Sequence, residues 1–143
     1  MGVLLCFHAH PDDEVFTTGG AMRLAADAGH RAVLVVATDG AQGEHPDGLL
    51  APGESLADRR IREVERSAEA LGVSRLVTFG YADSGMAGTP ANDAPGAFAR
   101  VDVEEARGRG SVPPCAASTP TPTSRSRAGR STAPTATSAT RWM

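Results

Sequence analysis

The chain has 143 residues, enough for one domain, and with 41% hydrophobic but only 4% aromatic residues its core must come mainly from Ala, Val and Leu. The formal charge is −3; all 14 basic residues are arginine, and every Asp and Glu lies before Ala106. No stretch is apolar for long enough to span a membrane, two cysteines (Cys6 and Cys115) make no disulfide framework, and no leader precedes the first motif, so a cytoplasmic, reduced setting is expected.

The apolar run at residues 3–9 predicts a short buried parallel strand, with Cys6 a small core residue. His8, inside it, is expected to be a packed strand histidine with one hydrogen bond. The run leads into Ala9-His10-Pro11-Asp12-Asp13-Glu14, a histidine and three carboxylates at the mouth of a strand, where parallel α/β sheets bind ligands. His10 and Asp13, three residues apart in a tight turn, can converge on one cation, and a nitrogen plus an oxygen ligand suits zinc. Pro11 stiffens that turn by fixing its own φ and pushing His10 toward extended backbone. Asp12 diverges from Asp13 and is left free to accept a proton. Glu14 is expected to orient His10 from behind. The same residues equally describe a polar turn with an Asp cap on the next helix, and residue types alone leave both readings open.

Thr17 or Thr18 can cap a helix through residues 21–26 that ends near Gly29, its apolar face made by Met22, Leu24, Ala25 and Ala28. Gly19-Gly20 is no dinucleotide fingerprint. Residues 31–38 read as a second buried strand, completing a βαβ unit whose Asp39-Gly40 terminus shares a sheet edge with His10. The following loop, residues 41–54, is long and rich in Gly and Pro, the kind of connection that carries function; Glu44 and His45 are its candidates, with His45 read as solvated rather than ligating. Ser55 and Asp58 form a capping-box-like start to a helix that runs to Leu71 and stops at Gly72, with Leu56, Ile61, Val64, Ala68 and Leu71 on one face. Residues 73–80 predict a third strand. Beyond it, Asp83 suits hydrogen bonding to sugar hydroxyls or, equally, an Asx-turn that opens a loop. Residues 89–96 read as loop, and residues 98–105 as the start of another helix.

Taken together, Ala9-His10-Pro11-Asp12-Asp13-Glu14, Thr38-Asp39-Gly40-Ala41-Gln42-Gly43-Glu44 and Asp83-Ser84-Gly85-Met86 closely resemble the LmbE-like, or PIG-L, family of zinc-dependent N-deacetylases, over about residues 1–100. The resemblance implies a Rossmann-like three-layer α/β/α fold with a mostly parallel sheet, incomplete at the C-terminus of this chain. It implies removal of an acetyl group from a small amino-sugar conjugate of the GlcNAc-inositol or GlcNAc-phosphatidylinositol type, with Zn2+ as cofactor. Carried over residue by residue, it makes His10 and Asp13 zinc ligands and Asp12 the general base. It makes Glu44 and Arg60 substrate contacts, with salt-bridge duty the alternative for Arg60, and Asp83 a third, although Ala82 stands where the family usually has Arg.

Residues 107–143 change character: Ser, Thr, Pro, Ala and Arg dominate, with no Leu, Ile, Phe, Asp or Glu. Such a composition predicts a disordered tail. Trp142 is its one aromatic, so specific nucleic-acid recognition is not expected, although a basic tail that touches nucleic acid is one alternative function. A non-catalytic α/β sugar-binding fragment is another. A further expectation is that the reading frame has slipped near Ala106. Read one nucleotide earlier with G or C at wobble positions, residues 138–143 give Gly-His-Pro-Val-Asp, similar to the family's Gly-His-Pro-x-x-His motif, which supplies its remaining zinc histidine.

Overall fold

Three apolar runs become three parallel strands in the computed structural model, which describes residues 1–110. Strands β1 (Val3–His8), β2 (Arg31–Thr38) and β3 (Arg75–Tyr81) lie in the order β1-β2-β3. The register sets Leu4 beside Ala32, Cys6 beside Leu34 and Leu34 beside Leu76. β2 is central, and seven of its eight residues are buried, as a continuous apolar run requires. The fold is α/β with a parallel sheet, as the sequence predicts.

Helices cover one face of this sheet. Cys6, Ala32, Leu34 and Val36 meet Met22, Val64 and Ala68 in one core, with Leu4, Leu71, Val73 and Leu76 packed at its margin. The sidedness follows from strand geometry, since alternate residues point to opposite faces. The other face carries Val3, Leu5 and Phe7, which remain 63%, 57% and 51% exposed.

The first helical region departs from expectation. The chain turns helical at Asp13 rather than at Thr17 or Thr18: α1 (Asp13–Thr17) leads into α2 (Gly19–Asp27) through Thr18, whose φ of −125° interrupts the helix. Thr18 does not cap α2; its hydroxyl is instead 2.9 Å from His8 Nε2. That contact is the single hydrogen bond expected of His8. Asp13 and Glu14 occupy the first turn of α1, where carboxylates complement the exposed N–H groups.

Helix α3 (Leu56–Ala70) follows its sequence signals closely. Ser55 Oγ accepts from Asp58 N at 3.1 Å and closes the N-terminus. Gly72, at φ 73°, ends the run, and a Cβ there would sit 2.8 Å from Ala26 Cβ. Both the backbone and the neighbouring helix therefore require glycine. Gly72→Ala is expected to lower unfolding stability by about 2 kcal/mol, read as a shifted urea midpoint at unchanged slope.

The last predicted helix begins later than expected. Residues Phe98–Arg100 form a 3₁₀ turn, and α4 (Val103–Gly110) opens after Asp102, whose Oδ1 accepts from Glu104 N at 2.8 Å and Glu105 N at 3.3 Å. α4 thus crosses the expected boundary at Ala106; the rest of the predicted tail, with Cys115, lies outside the described residues. Among the described residues no helix is long and apolar enough to cross a membrane.

Candidate active site

The sharp exit from β1 is built by one unusual residue. Asp12 adopts φ 99° and ψ −28°, the one left-handed non-glycine residue among those described. Such a conformation costs roughly 1–3 kcal/mol and persists where its surroundings over-determine it. Here they do. Asp12 N donates to Glu14 Oε2 at 2.9 Å. Arg60, reaching from α3, donates through one terminal nitrogen to Pro11 O at 3.2 Å and to the Asp12 carboxylate.

The turn brings His10 and Asp13 together. His10 Nδ1 lies 3.5 Å from Asp13 Oδ2, which also accepts from His10 N at 3.1 Å. Two donors on a tetrahedral zinc, each about 2.0–2.1 Å from the metal, stand about 3.3–3.4 Å apart, so this pair fits one zinc bite. Both side chains are partly open, 44% and 39% exposed. Among the described residues no third His, Cys, Asp or Glu completes a cage around them. The imidazole's other edge is backed by protein: Nε2 is 3.5 Å from Asp83 Oδ1.

Asp83 is buried and heavily used. Its Oδ1 accepts from Gly85 N at 2.9 Å, the Asx-turn read from sequence, and its Oδ2 accepts from Gln42 N at 3.1 Å. Asp83 N in turn donates to Asp39 Oδ1 at 3.0 Å, an oxygen that Ala41 N also reaches. Two adjacent carboxylates, Asp39 and Asp83, thereby lock the loops after β2 and β3 side by side. Its place after β3 and the family resemblance both single out Asp83, but nothing in its spacing signals the link to His10.

These loops and the β1 turn enclose a cleft of about 340 Å³ lined by His10, Asp12, Gly40, Gln42, Gly43, Arg60, Asp83, Gly85 and Met86. Gly40 (φ 66°) and Gly43 let Arg60 lie flat beneath the loop; a Cβ on Gly40 would come within 2.8 Å of Arg60 Cδ, and one on Gly43 would strike its guanidinium. Arg60 Nε is buried and unpartnered among the described residues. Of the sequence-predicted residues, the structure gathers His10, Asp12, Asp13, Arg60 and Asp83. Glu44 is exposed on the loop that supplies Gln42 and Gly43. His45 is exposed too, its Nδ1 3.2 Å from Pro46 O. Glu14 is not behind His10 as expected: its oxygens go to Asp12 N and Ser67 Oγ, because the left-handed turn swings the helix start under Asp12.

The family described as PIG-L, GlcNAc-PI de-N-acetylase, matches residues 5–109. The chain is 44% identical over 116 residues to 1D-myo-inositol 2-acetamido-2-deoxy-alpha-D-glucopyranoside deacetylase 1 of Catenulispora acidiphila, covering 72% of this chain and 35% of that protein. It is 46% identical over 112 residues to the deacetylase of the same description from Acidothermus cellulolyticus, covering 72% and 38%. The chain thus spans little more than a third of the length of these relatives. Among solved structures, it is similar to N,N'-diacetylchitobiose deacetylase from Pyrococcus horikoshii, with a TM-score of 0.50 and 37% identity over 58% of this chain and 30% of that one. It is also similar to the 4-carboxy-2-hydroxymuconate hydratase GalB of Pseudomonas putida, with a TM-score of 0.52 and 27% identity over 73% and 39%.

Proposed function

Because this chain belongs to the PIG-L family of GlcNAc-PI de-N-acetylases, we propose that its cleft is part of a zinc-dependent deacetylase site for a small GlcNAc-type conjugate. The observation that carries this reading is local. His10 and Asp13 present two donors at one zinc bite, and Asp12, the residue before Asp13, lines a cleft together with His10. The hydratase likeness means that fold alone does not name the reaction. The amino-sugar substrate class is inferred from the relatives.

His10 Nδ1 and the Asp13 carboxylate would hold the ion. When bound, zinc supplies Lewis acidity, polarising an amide carbonyl and acidifying water. Asp12 then serves as the general base, its carboxylate held by Arg60 rather than swinging in solvent. Arg60 lines the cleft, and a guanidinium at its wall suits the oxygens of a sugar or cyclitol. Asp83 lines the cleft as the hydroxyl contact that the resemblance implies, although its oxygens already serve Gly85, Gln42 and His10, which leaves the exposed Glu44, on the neighbouring loop, the more open hydroxyl acceptor. With two protein donors among the described residues, where catalytic zinc usually has three, the chain is expected to bind the metal weakly and to turn over slowly.

The test is acetate release from N-acetylglucosaminyl-inositol by the 143-residue chain in zinc, beside its Asp12→Asn variant. Weak release that falls by at least about 100-fold in Asp12→Asn is expected. Release that is unchanged by the substitution would reject Asp12 as the base.

A further inference from the structure

We propose that Glu14 is a positioning residue for Asp12, its buried carboxylate holding the Asp12 backbone in the left-handed conformation that sets the direction of the Asp12 side chain. This inference rests on the reading of Asp12 as general base. Glu14 is 1% exposed, among the most buried side chains of the described residues, although it is an acid. Among the described residues no cation pairs with it. A carboxylate withdrawn from water this completely is costly unless its oxygens are bonded, and both are: Oε2 takes Asp12 N–H at 2.9 Å, and Oε1 takes the Ser67 hydroxyl from α3. A leucine would fill the same space without that cost, so packing alone does not account for an acid here.

What the carboxylate does is visible one residue earlier. Asp12 alone among the described non-glycine residues is left-handed, and the Glu14 contact falls on its own N–H. Relaxing Asp12 to an ordinary helical φ near −63° would turn its Cβ by about 160° about N–Cα relative to Pro11. Arg60 binds Pro11 O and the Asp12 carboxylate with the same nitrogen, so that turn would part the carboxylate from Arg60 and from the cleft. Ser67 makes the arrangement tertiary: it passes the position of α3 through Glu14 to the backbone of Asp12.

Amide hydrogen exchange of the 15N-labelled 143-residue chain tests this. Glu14→Gln keeps an oxygen for Asp12 N–H and turns its NH₂ to the Ser67 oxygen, so Asp12 should exchange within about threefold of the parent. Glu14→Ala should speed exchange at Asp12 by about tenfold or more, beyond any change at Leu34 and Val36 in β2. Should Glu14→Ala not fold, Ser67→Ala serves instead, with faster exchange at Asp12 expected. In an Asp12→Gly background, where the left-handed turn needs no support, Glu14→Gln and Glu14→Ala should differ less in unfolding midpoint than in the parent. The proposal is overturned if Glu14→Gln behaves like Glu14→Ala, or if Asp12 exchange ignores both Glu14→Ala and Ser67→Ala. Exchange is read without turnover, so a failed base assignment, seen as unchanged acetate release in Asp12→Asn, is a separate result.

Discussion

Replacing His10 with alanine is expected to weaken zinc binding by at least about 100-fold, measured by isothermal titration of the 143-residue chain. Loss of a partner that merely orients a ligand already costs 10–100-fold in metal affinity, and His10 is proposed as one of the two donors among the described residues. What remains is a single carboxylate, Asp13, which water and buffer can match. The substitution should leave the fold intact, because the imidazole is half open and its removal empties no core. Asp83 loses one neighbour but keeps the Gln42 and Gly85 amides, so the loops after β2 and β3 stay locked. Unchanged circular dichroism with lost binding is the expected pair of results. Retained binding would place the metal elsewhere, with the exposed Glu44-His45 pair the first place to look.

The second large effect concerns stability. Leu34→Ala is expected to cost about 3 kcal/mol, within the usual range for a fully buried leucine. Leu34 has no exposed surface, lies at the centre of the middle strand with Cys6 and Leu76 as its lateral neighbours, and belongs to the core that Val64 and Ala68 close from α3. Strand backbones on either side are fixed by their ladders, so the cavity cannot collapse far. Domains of this size are stable by only about 5–15 kcal/mol, which makes this loss a substantial fraction of the whole. A urea titration that moved the midpoint by less than the equivalent of about 1 kcal/mol would mean that the helical layer is not close-packed on the sheet.

Sequence was most informative where a single local rule decides the outcome. β2 is a continuous apolar run and could only be a buried strand; α3 has both of its punctuation residues, Ser55 and Gly72, and ends where they say. It misled where a backbone angle decided. Nothing in the letters Asp12-Asp13-Glu14 announces a left-handed aspartate, yet that one residue moves the helix start forward from Thr18 to Asp13 and turns Glu14 inward. At the site, the His10–Asp13 pairing was readable because both lie in one turn. The Asp12–Arg60 pair is separated by 48 residues, and resemblance singled out Arg60 without naming its partner. A still longer separation in sequence hid Ser67, whose hydroxyl reaches Glu14 across 53 residues. Pairings of that kind are set by how α3 docks, which is a property of the folded core rather than of any motif.

The uncovered side of the sheet has a practical bearing on handling. Val3, Leu5 and Phe7 stand on a strand with one unpaired edge among the described residues, more than half exposed in each case. A flat, oily strip beside free amide and carbonyl groups is a ready template for sticking to a neighbour. Light scattering of concentrated solutions should therefore rise steeply, and Leu5→Lys, which charges that strip without touching the helical side, should raise the solubility ceiling while leaving zinc titrations unchanged.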